Sequence, residues 1–201
     1  MNQADAYSTV WQAVRDTVPQ IPDLAAFLPE LPETPAFNGA EDRAPAPGID
    51  LVACRESCLP EYVPLIDALI AARDHLDWHQ TYTEADGISR EFLDSYGYIF
   101  LTGPGAPLEA PDHRLFIAYW GPGLLYPDHN HLPAELYVVL AGAAVFHAEG
   151  RAPRRVTAGD TILHDPWQMH ATDMIPGPLL ALIGWRSDED LTVNPRLRKA
   201  E

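Results

Sequence analysis

The stretch GLLYPDHNHLPAELYVVLAG, Gly123–Gly142, decides how the rest of the chain is read. Side chains in an extended strand alternate between faces, so His129 and His131 point the same way. Glu135 and Tyr137 share that parity. If the strand resumes in phase beyond Pro133, all four converge on one face, with Val139 continuing the stripe. Two imidazoles and a carboxylate form an N/O ligand set suited to a divalent transition metal. The competing reading is a polar surface strand that happens to carry two histidines. Against it stand the turn glycines at both ends of the segment and a further histidine downstream.

Around this segment the second half of the chain reads as strands separated by turns. YIFLTG, from Tyr98, ends in Gly103-Pro104-Gly105, and RLFIAYW, Arg114–Trp120, ends in Gly121-Pro122-Gly123. AAVFHA, a hairpin around Glu149–Pro153, TILH and PLLALIGW follow. Short strands at regular spacing with Gly/Pro turns predict a sandwich or barrel. The first half differs. Trp11, Val14 and Val18 predict a helix over Tyr7–Val18, capped by Ser8 and stopped by Pro19. Prolines are frequent from Pro19 to Pro47, with a short helix expected near Leu24–Leu28. Leu65, Leu69, Ala72 and Leu76 place a second helix after Pro60, and Ser89–Ser95 suits another short one. The expected division is a helical, proline-rich extension over 1–97 and a β-barrel over 98–201. The proline-rich arm is suited to covering the barrel or to joining a second copy in a homodimer, and the sequence leaves both open. Trp78, Tyr82, Tyr96 and Tyr98 read as packing residues, and the C-terminal NPRLRKAE reads as a solvated polar tail.

The chain has 201 residues and a formal net charge of −16, which argues against nucleic acid and anionic membranes as partners. Its 47% hydrophobic and 21% charged residues are ordinary for a soluble globular protein. The 2 cysteines, Cys54 and Cys58, cannot build a disulfide framework and read as free thiols. No apolar run is long enough to span a membrane, and the N-terminus lacks the basic start and apolar core of a signal peptide. A cytoplasmic location is the expectation.

The opening segment resembles the first motif of the cupins, G-x5-H-x-H-x3-E-x6-G, with Gly123, His129, His131, Glu135 and Gly142 in place. GDTILHDPWQMH, Gly159–His170, resembles the second motif through Gly159, Pro166 and His170. In it the first interval is one residue long, the second is one short, the central glycine is missing, and no asparagine follows four residues after His170. The tyrosines of YPDHNHLPAELY make the string similar to the cupin-type dimethylsulfoniopropionate (DMSP) lyases, the DddQ type. That family cleaves DMSP to dimethyl sulfide and acrylate.

The resemblance implies a mainly β cupin barrel, a double-stranded β-helix or jelly roll, with the N-terminal helices packed outside. It implies one divalent transition metal per chain, zinc, iron or manganese. The ligands are His131, Glu135 and His170, with His129 or Tyr137 completing the set. The motif assigns His170 rather than His164, which is expected just outside the site. The substrate would be a small zwitterionic sulfonium. A phenol beside a divalent cation loses its proton more readily than at its usual pKa of about 10. Tyr137 is therefore the first candidate for the base and Tyr126 the second. Tyr126 and His129 would also touch substrate, and Trp185 would meet the sulfonium through its ring face. Two rivals use the same fold: a metal-dependent dioxygenase and a small-molecule-binding cupin without turnover.

Overall fold

In the strand Arg114–Trp120 every residue is buried, because both faces of the sheet to which it belongs are covered. The computed structural model describes residues 1–175 and 177–198. In chain order its helices and strands are α1 (Gln3–Thr17), α2 (Pro22–Phe27), α3 (Leu51–Glu56), α4 (Val63–Ala72), β1 (Trp78–His79), α5 (Arg90–Asp94), β2 (Tyr96–Thr102), β3 (Arg114–Trp120), β4 (Leu125–Asn130), β5 (Ala134–Ala148), β6 (Arg154–Thr157), β7 (Thr161–His164), β8 (His170–Asp173), β9 (Leu179–Arg186) and β10 (Arg196–Leu197).

The strands form a curled, largely antiparallel half-barrel in the order β1-β2-β3-β9-β5-β8-β4-β10, with β6 and β7 also pairing with β5. The expected mainly β barrel is what forms. The first half of β5 pairs with β9 and β7, and its second half pairs with β6 and β8. One 15-residue strand thus serves both walls. The change of wall follows a bulge between Val139 and Ala141 and passes through Gly142 at φ +83°. A Cβ at Gly142 would lie 1.7 Å from the Pro178 carbonyl oxygen, so only glycine fits this crossing.

Period-two alternation sorts the side chains of the first wall. Leu136, Val138 and Leu140 of β5 share an outer core with Leu180 and Leu182 of β9 and Ile117 of β3. Val10 and Val14 of α1 and Leu65 and Leu69 of α4 cover that face. Tyr137 and Val139 point the other way, into an inner core with Ile183 and Trp185 of β9 and Phe116 and Trp120 of β3. The outer layer lets the inner one be polar: helices bury the apolar face, and the barrel keeps its shape around a charged centre.

Several local expectations are corrected. His129 lies near the end of β4, whereas Glu135 and Tyr137 belong to β5, because the chain turns between them. AAVFHA is the second half of β5, not a separate strand. Helix α1 begins at Gln3, where the Asn2 side chain accepts from the Asp5 N–H at 2.9 Å, so Ser8 lies inside the helix and caps nothing. The short helix α3 was not expected; Asp50 caps it. Of the C-terminal tail, Arg196 and Leu197 add strand β10 to the edge of β4, while 199–201 lie outside the described residues. Among the described residues no helix is long and apolar enough to cross a membrane.

Candidate active site

Register across the first wall lines up four inward side chains: His164 on β7, Glu135 on β5, Trp185 on β9 and Arg114 on β3, each the strand partner of the next. The opposite wall supplies Tyr126 and His129 from β4 and His170 from β8, with His129 and His170 strand partners. His131 follows β4 at the start of the turn. His129, His131, Glu135 and His170 are each 1–2% exposed, and His164 is fully buried.

These groups converge on Oε2 of Glu135. His131 Nε2 lies 3.0 Å from it and His170 Nε2 lies 3.3 Å from it. The other carboxylate oxygen, Oε1, accepts from the Trp185 indole N–H at 2.7 Å. On the far side each of three imidazoles is tied to a backbone carbonyl through Nδ1: His129 to Pro127 at 2.8 Å, His131 to Pro133 at 3.0 Å and His170 to Gln168 at 2.8 Å. A carbonyl can only accept, so Nδ1 carries a proton and Nε2 is the nitrogen turned inward, an arrangement that orients metal-ligating histidines. His129 and His164 flank His170, with ring centroids 4.1 Å and 4.0 Å away.

Burial would raise the Glu135 carboxyl, but His131 and His170 outweigh it and hold the group well below the usual carboxylate range. Burial lowers His131, yet Glu135 wins and leaves it raised. Burial and His170 push His129 well below its ordinary value, and the same two causes bring His164 down to about 3. Burial, with Glu135 next, pushes the Tyr137 phenol well above its usual value, and burial with Tyr96 does the same to Tyr126.

The residues present fit a cation. His170 Nε2 and both ring nitrogens of His164 are buried without a hydrogen-bond partner. Two groups could hold a metal, His129–His131–His170 and Glu135–His164–His170, with ligand atoms within 4.8 Å of one another in each. Ligand atoms about 3 Å apart suit neighbouring positions on an ion with bonds of about 2.1 Å. His170 belongs to both groups. His164, expected outside the site, is inside it: the register of β7 sets it directly opposite Glu135.

Of the cluster, His129, His131 and Glu135 line a cavity. Tyr126, Tyr137 and Trp185 line it. So do Tyr96, Tyr98, Phe100 and Trp120, of which the first two read from sequence as packing residues. Their signal was present: Tyr96, Tyr98 and Phe100 alternate along β2, so up to the bulge after Phe100 one face of that strand is aromatic. Tyr126 sits in this box, with ring centroids 4.1 Å from His129 and 5.6 Å from Trp120.

Residues 50–181 match the dimethylsulfoniopropionate lyase family. The chain belongs to that family. Among individual members of the DMSP lyases, it is 36% identical over 127 residues to dimethylsulfoniopropionate lyase DddQ of Ruegeria pomeroyi, and the match covers 63% of each chain. The crystal structure of DMSP lyase DddQ from Ruegeria pomeroyi DSS-3 superimposes with a TM-score of 0.84 and 30% identity over 96% of both chains. A chain from the crystal structures of the DMSP lyases RdDddP and RnDddQII gives a TM-score of 0.88 and 32% identity, over 98% of this chain and 100% of that one. The helices that cover the barrel are therefore part of the shared DMSP lyase architecture, since both superpositions extend over nearly the whole chain.

Proposed function

We propose that this chain is a metal-dependent carbon–sulfur lyase that cleaves DMSP to dimethyl sulfide and acrylate by β-elimination. The observation that carries the proposal is the convergence of His131, His170 and Glu135 beside Tyr137, inside an aromatic cavity, in a member of the DMSP lyase family. A divalent transition metal (zinc, iron or manganese) held by His131, Glu135 and His170, with His129 or Tyr137 as a further ligand, supplies Lewis acidity to the substrate carboxylate. Trp185 fixes one oxygen of Glu135 and leaves the other for the centre of the site. His129, neutral because it is buried, and Tyr126 face the bound substrate. The sulfonium lies against an aromatic face, Trp185 first among them, where the ring quadrupole attracts a diffuse cation.

Tyr137 takes the proton from the carbon next to the carboxylate. The electron pair of that C–H bond becomes the second bond of the alkene, and the adjacent C–S bond breaks with its pair on sulfur. Dimethyl sulfide leaves neutral and acrylate remains. Nothing is oxidised or reduced. Burial and Glu135 oppose ionisation of the phenol, so Tyr137 needs positive charge beside it to act as base.

The test is dimethyl sulfide in the headspace after metal-loaded protein is mixed with DMSP, with and without oxygen. Equal release in both supports the lyase. Oxygen-dependent product would point to a dioxygenase, and binding of DMSP without release to a non-catalytic cupin.

A further inference from the structure

Arg114 is the one inward residue of the Glu135 row whose charge the site chemistry leaves unused. It is 9% exposed, and its Nε is buried with no hydrogen-bond partner. One amino group donates to the Pro104 carbonyl at 3.1 Å. Among the described residues no carboxylate lies within ion-pair distance of it. Asp190, whose charge acts on it from beyond that distance, accepts from Thr192 at 2.6 and 2.7 Å. Burial pulls the guanidinium below its ordinary value, as expected for a cation lacking a counter-charge. A buried guanidinium without an anion is costly, because water is removed and nothing replaces it.

The position is nonetheless built. Phe100 lies under the guanidinium, 4.7 Å from ring centroid to Cζ. Gly103, at φ +143°, lets the turn close over the arginine stem: a Cβ there would come within 2.5 Å of Arg114 Cγ. Three devices therefore hold this side chain on the cavity wall: a stacked ring, a glycine and a carbonyl. The cavity grades from the buried histidines to half-buried Tyr98 and Phe100, and Arg114 stands at the half-buried end.

We propose that Arg114 forms a carboxylate-binding subsite at the rim of the cavity, which receives the carboxylate of the incoming zwitterion and of the leaving acrylate. The assignment of substrate rests on the lyase reading, while the anion preference stands on the geometry alone. The unpartnered Nε, beside an amino group, offers the fork that binds a carboxylate. The same charge repels the sulfonium, so the carboxylate leads the substrate in and passes on toward the inner cluster, while the sulfonium meets the aromatic rings.

Two variants of the metal-loaded protein test this, Arg114→Gln and Arg114→Lys. Charge-assisted hydrogen bonds of this kind suggest a rise of roughly 10- to 100-fold in KM for DMSP in Arg114→Gln, with kcat changing only a few-fold. Acrylate binding, read directly by quenching of tryptophan fluorescence, should weaken by a similar factor, and Arg114→Lys should recover part of both. Metal content and thermal unfolding identify a variant that has lost its fold, in which case Arg114→Lys alone decides: a lysine is a point charge without the fork, so its acrylate affinity must fall between wild type and no binding. Unchanged acrylate affinity in a folded variant overturns the proposal. If wild type releases no dimethyl sulfide, the lyase reading fails, and the acrylate titration still decides the role of Arg114.

Discussion

The indole N–H of Trp185 donates to Glu135 Oε1 at 2.7 Å, while Oε2 of the same carboxylate faces His131 and His170. The same tryptophan packs its ring 4.5 Å from that of His131. It therefore orients two proposed ligands, in addition to its proposed contact with the substrate. Trp185→Phe separates the roles, since it keeps an aromatic face and removes the donor. Metal affinity should fall about 10- to 100-fold, the usual cost of losing such a partner of a ligand. Competition with a calibrated chelator measures it. Unchanged affinity would leave Trp185 with the substrate role alone.

His164 and His170 stack at 4.0 Å with planes 12° apart, and only His170 also lies within ion-pair distance of Glu135. His170→Ala should abolish metal retention, whereas His164→Ala should weaken it by less than tenfold. The reverse order would move the last ligand to His164. His164 also responds to acid. In the metal-free chain the His164 pKa is about 3, against about 6.5 once unfolded. Below 6.5 the unfolded chain binds the extra proton, so stability present above that pH is lost as pH falls toward 3. The slope approaches 1.4 kcal/mol per pH unit from this one group. Replacing His164 by Ala should flatten that part of the stability profile, measured by urea unfolding of chelator-treated protein.

Much of this site was legible in the sequence, for a reason that also marks its limit. Period-two alternation put Glu135, Tyr137 and Val139 on one face, and β5 does present Glu135 and Tyr137 inward. Alternation says nothing of which strand lies opposite, because register is set by tertiary pairing. His164, the Trp185–Glu135 hydrogen bond and the exposure of Arg114 to the cavity all depend on that register, so they were not readable. The absent glycine of the second motif has a structural counterpart. In that turn Trp167 adopts φ 61°, a left-handed conformation costly for a bulky residue, and its N–H donates to the His131 carbonyl at 2.8 Å. Arg196 of β10, 5.1 Å over its ring, helps hold it there. The C-terminal segment, which looked solvated, thereby supports the turn beside the site.

Gly142→Ala tests the crossing of β5 between the two walls. The new Cβ would meet the Pro178 oxygen at 1.7 Å and force φ +83° on a residue with a side chain. The loss should be at least about 2 kcal/mol, from left-handed strain and displacement of backbone together. For a chain of this size that is a fall in Tm of roughly 4–8 °C. A Tm within about one degree of wild type would show that the crossing can shift without cost.

Tyr137→Phe removes a hydroxyl and little else. The ring makes an edge contact with Phe146 at 5.1 Å and another with His164 at 5.9 Å, and phenylalanine keeps both. Folding should survive. A general base contributes roughly 10²–10⁴-fold in rate, so dimethyl sulfide release should fall by that factor. The phenol is held well above its ordinary value by burial first and Glu135 second, so the proton-accepting form grows as pH rises. Wild-type kcat should therefore increase with pH, and the variant's residual rate should lose that limb. Exchange of the substrate's α-hydrogen in deuterated solvent isolates proton removal from departure of the sulfide, and it too should vanish in Tyr137→Phe. Tyr126 is the control. Its phenol is raised by burial and then by Tyr96, not by a carboxylate, and its ring stacks on Phe92 at 5.8 Å. Tyr126→Phe should raise KM more than it lowers kcat. A variant at Tyr137 that still exchanges the α-hydrogen, beside one at Tyr126 that does not, would transfer the base to Tyr126. If both variants exchange normally, proton removal belongs to neither phenol, and His129, facing the same cavity as a neutral imidazole, becomes the residue to replace next.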